Sequence, residues 1–401
     1  MTSYRNHHYV PQWHQYNFLK HLAVKNFHVL DLSRDFLSLP NGSVKRLSEF
    51  RVSGPSGCFV EKDLYTTFFP AGINTDIETR FFGNVDQFAP SALAAILNFT
   101  HEDFDPDSFE NFMRHLSLQR MRTPKGLSNL QRRLNLIENN QVLFQMQKLQ
   151  EIFCAIWSDC VWQIASAENC ETKFILSDSP ITLYNRAYRP NSFACTSNGD
   201  PAVAQNGTHM IYPLSNNKII ILTHAAYVRN PWLNPKGTIP NPRPFRDSIF
   251  SFMDIQLRNL DETEVKEINY VIKSRASRYV VATEKRWLFP EDEIPSTDWA
   301  RLGGGDLLMP DPRGHTYTSR TTVGYTSGHK GSFDSNNIRP GQPGFTAEPN
   351  AEALERFEAF QSFFAERHGS KRRGRAHSFG RLDYEIDSDE FYQYEIGKIP
   401  N

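Results

Sequence analysis

Near residue 159 the apolar residues of this chain change their period, and that change limits the folds open to it. Upstream, Phe109, Phe112, Met113 and Leu116, then Leu127, Leu130, Leu134 and Ile137, then Met146, Leu149, Phe153 and Ile156 recur every three or four positions, as on one face of a helix. Downstream the repeat is two. Val161 to Ala167 and Thr172 to Leu176 are expected to form a hairpin around Glu168-Asn169, and Met210 to Leu214 and Lys218 to His224 form two more strands around an Asn216-Asn217 turn. A strand over 26–32 precedes the helical run, and one over 279–283 closes the pattern. The expected class is therefore α+β, with a helical middle flanked by antiparallel strands.

Local signals place the helix ends. Asn74-Thr-Asp-Ile-Glu78 offers polar caps for a helix carrying Ile77, Phe81, Phe82, Val85 and Phe88, with Pro90 expected to kink or restart it. Asp105-Pro106 starts the next helix with a cap and a first-turn proline, and Pro124 ends it. The stretch 127–160 is one long helix or two in line. Asp261-Glu-Thr-Glu264 reads as a capping box for a helix through Ile272.

Composition sets the class. The 401 residues are enough for one large domain; aromatics reach 13%, which a disordered chain lacks, and the net charge of −1 gives no global attraction to nucleic acid or anionic lipid. Five cysteines without a Cys-x-x-Cys pair read as reduced thiols, and no apolar run has the length of a membrane span, so a cytoplasmic location is expected. The domain plan is a core over 1–290, a Gly/Ser/Pro-rich flexible linker over 291–349, and a tail over 350–401. The tail holds an amphipathic helix at 351–367, whose Leu354, Phe357, Phe360 and Phe364 call for a groove or a partner protein. The basic run Lys371–Arg375 has no interleaved aromatics, so nucleic-acid binding lacks support there.

Residues 7–18 crowd three histidines, four aromatics and a proline into twelve positions. They open an ordered set of motifs: His8-Tyr-Val-Pro11-Gln12 with Asn17-Phe18, then Arg122-Thr-Pro124, Ser177-Asp178-x-Pro180, Pro213-Leu214-Ser215, and Asn269 leading to Ala276-x-x-Tyr279. Over roughly residues 7–285 this order resembles the domain-of-unknown-function family 4238. The resemblance implies an α+β fold and singles out His8, Pro11, Arg122, Asp178 and Pro180, but implies no activity.

Two readings of these residues stand side by side. In the first, His8, with His7 beside it, is a general base, Asp178 supports it from a strand end, and Arg122 holds a phosphate or carboxylate in a bidentate fork; Pro11, Gln12, His14 and Ser177 line the site. That set suits a hydrolase of phosphoesters, nuclease-like, whose substrate stays unnamed. The reaction is open to metal assistance with His8 as a ligand, but no metal ligand set is nominated, because paired histidines on a helix are missing, and the cofactor is unidentified. In the second, His8 bonds a carbonyl, Asp178 caps a turn, the N-terminal segment is a core plug, and the chain is a binding or scaffold module. Glu78 and Asp86 are expected as a solvated or salt-bridged helix face, with Arg114 or Arg122 as partners. His209 and His224 read as surface or satisfied core histidines.

Overall fold

A computed structural model describes residues 6–305 except 20–24, 34–35, 39–43, 47–48, 70–71, 75–80, 100–105, 137, 159, 191, 194, 196–198, 225–226, 228–233 and 239–254; beyond 305 it describes 321–324 and 330–333. In chain order the elements that matter here are β1 (Asn6–His8), α1 (Gln12–Tyr16), β2 (Phe27–Asp31), β3 (Phe36–Ser38), β4 (Val44–Arg46), β5 (Phe50–Ser53), β6 (Val60–Lys62), β7 (Thr67–Phe69) and β8 (Gly72–Asn74). Four helices follow: α2 (Gly83–Leu97), α3 (Pro106–Met121), α4 (Pro124–Leu134) and α5 (Asn139–Ser158). The second half holds β9 (Cys160–Ser166), β10 (Leu176–Ser177), β11 (Thr182–Tyr184), β12 (His209–Pro213), β13 (Lys218–His224), β14 (Ile255–Asn259), α6 (Glu262–Arg275) and β15 (Tyr279–Ala282).

Two sheets organise the α+β fold. The larger has the order β11-β12-β13-β9-β14, antiparallel except for β14 beside β9. Both of its faces are buried. Trp162, Ile164, Met210, Tyr212, Ile220 and Leu222 point to a core shared with α2, α3 and the end of α5, whereas Ala165, Ile211, Ile219 and Ile221 point to a second core shared with α6. The strict alternation along β13 assigns each residue to one core or the other. The second sheet, β10-β15-β2-β5, is wholly antiparallel and closes the second core with Phe27, Val29, Val280 and Val281.

The helix signals hold at α6, where the Asp261 carboxylate accepts from Glu264 N at 2.8 Å and Glu264 reaches back to Asp261 N at 2.9 Å. They hold also at Pro124, which ends α3 and then starts α4 behind the Thr123 cap. The stretch 127–160 resolves into two helices because Asn135 takes a left-handed conformation, φ 52° and ψ 44°, that stops α4. Asn74 ends β8, the rest of the expected helix start at 75–80 lies outside the described residues, and α2 runs from Gly83 with Pro90 inside it. One expectation is corrected: the hairpin around Glu168-Asn169 does not form. β9 pairs with β13 and β14, while β10 joins the other sheet through β15. Asn269 from α6 explains this: its side chain accepts from Ile175 N and donates to Lys173 O, so the segment before β10 bonds to a helix rather than to β9.

The packed chain also runs past the composition boundary at 290. Turns at Lys285–Leu288, Pro290–Asp292 and Trp299–Gly305 bury Trp287, Leu288, Trp299 and Leu302 in the second core. The 351–367 helix, the basic run at 371–375, Glu78, and most of the expected linker lie outside the described residues. Among the described residues no helix is long and apolar enough to cross a membrane.

Candidate functional site

β1 pairs antiparallel with β6, His7 opposite Glu61 and His8 opposite Val60, and the strand's alternation separates the two histidines. His7 is fully buried. Its Nδ1 accepts from Tyr65 N at 3.0 Å, and its ring lies on the Tyr65 ring at 5.2 Å and 11°. Tyr65 in turn donates its hydroxyl to Arg122 O at 2.5 Å. His8 faces the other way and is half-buried: Nε2 lies 3.3 Å from Ser56 O, and Gln12 Nε2 stands over the ring, 3.2 Å from Nε2 and 3.5 Å from Nδ1. Burial lowers its pKa, against the raising effect of the Ser56 and Pro55 carbonyls.

Pro11 precedes α1 and sets its entry, and α1 delivers His14 and Gln15 to the interior. His14 Nε2 donates to Pro213 O at 2.9 Å, so its Nδ1 carries the lone pair that faces the Tyr212 hydroxyl at 3.4 Å. His115 Nε2 lies 2.9 Å from that same hydroxyl. A single proton direction satisfies the chain: His115 donates to Tyr212, Tyr212 to His14, and His14 to the backbone. All three are buried and neutral; burial lowers His14 to about 4 and His115 well below its ordinary value, with the Arg122 charge adding to both. Gln15 donates to Val10 O at 2.8 Å and Asn17 to Leu214 O at 3.4 Å. The opening segment is thus bonded mainly to main chain, much of it in the β12–β13 turn.

Arg122 sits beneath this plug. Its guanidinium donates to both Asp86 oxygens, at 3.0 and 2.9 Å, and to Gln119 Oε1 at 2.8 Å. Asp86 is therefore a salt-bridged helix carboxylate, as expected, and Arg114 pairs within its own helix with Glu110. Arg122 is occupied from within the protein, in place of the expected phosphate or carboxylate ligand.

Asp178 is 3% exposed and accepts from three main-chain donors: Ser277 at 2.8 Å, Arg278 at 2.6 Å and Tyr279 at 3.0 Å. The carboxylate holds the turn between α6 and β15. Burial raises its pKa, and those three N–H groups oppose the rise. Ser177 Oγ, buried beside it, accepts from Ser179 N at 3.2 Å. His8 is bonded to Ser56 and Gln12 and Asp178 to the 277–279 backbone, while the Asp178 charge reaches Tyr9, the residue after His8. The structure brings His7, His14 and Arg122 to one neighbourhood. His209 and His224 are satisfied core histidines, through Thr223 Oγ1 at 2.8 Å and Val203 O at 2.8 Å. Among the described residues no three His, Cys, Asp or Glu side chains are grouped as metal ligands, and the described cysteines are buried thiols outside any disulfide.

A second cluster carries no sequence motif of its own. Buried Asp200 accepts from Arg120 at 2.9 Å and from Lys125 at 2.8 Å, while Arg133 donates to its carbonyl at 3.0 Å. Lys125 also donates to Arg275 O at 2.5 Å, closing the end of α6. Burial would raise the Asp200 pKa, yet Lys125, Arg120 and Arg275 hold it down at about 2. In sequence only two traces pointed here: Lys125 follows Arg122-Thr-Pro124, and Arg275 is a last-turn cation of the capping-box helix. Nothing marked Asp200.

The family model for DUF4238, described as a protein of unknown function, matches residues 6–153 and 127–286. No curated protein and no solved structure matches the chain.

Proposed function

Because the chain belongs to the DUF4238 family, whose description assigns no activity, we propose a function from its geometry: a cytoplasmic binding module whose His-Tyr-Val-Pro segment is a structural plug. One observation carries this reading. Of the titratable side chains that would do chemistry, His7 and Asp178 are buried and bonded to main-chain groups, as is His14, and half-buried His8 is bonded to Ser56 O. A group so placed lowers the free energy of the fold and is shielded from a reacting atom. The partner-docking element of the module is the phenylalanine-striped 351–367 segment, which would seat on a partner protein.

The test is hydrolysis of bis(p-nitrophenyl) phosphate by the full chain, with His8→Ala alongside. The expected result is no turnover above buffer in either protein, with His8→Ala keeping its melting transition. Turnover that disappears in folded His8→Ala would restore the phosphoester hydrolase and overturn the module. Deletion of residues 346–401 should remove a co-purifying protein partner while leaving the melting transition of the core in place.

A further inference from the structure

The surroundings of Asp200 hold an imbalance that the fold alone leaves unresolved. Among the described residues, Arg120, Lys125, Arg133 and Arg275 bring four positive charges to a region in which the carboxylates interacting with them are Asp200 and, across Lys125, Asp178. Arg132 stands beside them, donating to Asn129 Oδ1 at 2.7 Å. Arg120 is 8% exposed and Arg275 4%, so water screens little of their mutual repulsion. That repulsion is felt at Lys125, whose pKa burial lowers, with Asp200 raising it and Arg120 and Arg275 lowering it further.

Unused donors accompany the excess charge. Arg275 spends Nη1 on Cys195 Sγ at 3.2 Å and Nη2 on Tyr188 O at 2.7 Å, and its plane lies 4.8 Å over the Trp299 ring, while buried Nε–H has no acceptor among the described residues. Asn129, 4% exposed, packs its amide against Gly199, the residue before Asp200, at a distance that leaves no space for a Cβ there. Its Nδ2 also lacks an acceptor among the described residues. A buried donor without a partner is costly, which is why proteins rarely keep one. Two donors beside a surplus of cations share a single remedy, an anion with several acceptor oxygens. Arg133 and Lys125 are the more exposed members and mark the side from which it would enter.

We propose that the Arg120, Lys125, Arg133, Arg275 and Asn129 cluster around Asp200 is a binding site for a phosphate-bearing ligand. A phosphate dianion offsets the charge excess, and its tetrahedral oxygens can serve several guanidinium, ammonium and amide donors together, more than one carboxylate can. Asp200 then acts as the fixed counter-charge that holds Arg120 and Lys125 in place for the ligand. The site uses residues other than those of the N-terminal plug, so its failure and that of the binding-module reading are told apart by different variants.

The experiment is calorimetric titration of the full chain with inorganic phosphate, pyrophosphate and adenosine monophosphate, with acetate at equal ionic strength as control. Phosphate and pyrophosphate should bind and raise Tm while acetate does neither. Arg133→Gln, at the exposed rim, should keep the fold and weaken phosphate binding about tenfold. Asn129→Asp supplies the missing negative charge from within; it should raise the Tm of the ligand-free protein and abolish the phosphate response. Tighter binding of adenosine monophosphate than of phosphate assigns the phosphate to a nucleotide, and equal binding assigns it to the phosphoryl group alone. The proposal is overturned if acetate binds as well as phosphate, if phosphate fails to bind, or if Asn129→Asp lowers Tm.

Discussion

Lowering the pH from 7 to 5 should destabilise this protein sharply, and buried histidines set the size of the effect. An unfolded histidine titrates near 6.5, whereas burial holds folded His14 at about 4 and folded His209 at about 3. Their contribution is fully present above pH 6.5. Below it the unfolded chain takes up protons that the folded chain refuses, so stability falls until the folded values are reached. Between pH 7.0 and 5.0 each residue removes about 2 kcal/mol, or about 4 kcal/mol for the pair. His115, held well below its ordinary value, and His224, lowered by burial, act in the same direction. Asp178 opposes them, since a raised carboxylate pKa means the folded state gains its proton first. The depressed carboxylates Asp31, Asp200 and Glu262 act only below about pH 4.5, outside this window. Against a net stability of about 5–15 kcal/mol, a loss of about 4 is large. Urea unfolding followed by tryptophan fluorescence at pH 7.0, 6.0 and 5.0 measures it. His14→Gln keeps a donor near Pro213 O and cannot titrate, so its slope below pH 6 should be shallower by about 1.4 kcal/mol per pH unit. Equal stability at pH 7 and 5, or an unchanged slope in His14→Gln, would refute the reasoning.

Two other outcomes rest on contacts already described. Asp178→Ala leaves Ser277, Arg278 and Tyr279 N–H groups without their acceptor, and thermal melting should show a loss of about 3 kcal/mol or more. Gly126→Ala should destabilise the start of α4 strongly in a urea titration, because a Cβ there would stand 2.5 Å from Arg120 O and 2.6 Å from Met121 O.

Much of the architecture could be read from periodicity, and the failures have physical causes. The strand pair Met210–Leu214 and Lys218–His224 and the α6 capping box are set by local pattern, so they emerged correctly. The 161–176 hairpin failed because the competitor for its second arm, the Asn269 side chain, lies 94 residues from Ile175. The candidate site is ambiguous in sequence for a related reason. His8 and Asp178 are polar residues beside rigid proline turns, a pattern that serves catalysis and turn-capping alike, and the 277–279 backbone that bonds Asp178 lies about a hundred positions away. Asp200 could not be foreseen, since its cations come from α3, α4 and α6.

The bond from His14 to Pro213 spans 199 positions, and it orders events at the ribosome. At about 5–20 residues per second, the opening segment waits on the order of 10–40 s after synthesis before its acceptor carbonyl exists. Throughout that interval a stretch rich in rings and imidazoles travels without its seat, open to chaperones and to neighbouring chains. Slower translation or added chaperone should therefore change the folded yield of this protein without changing the stability of the finished molecule.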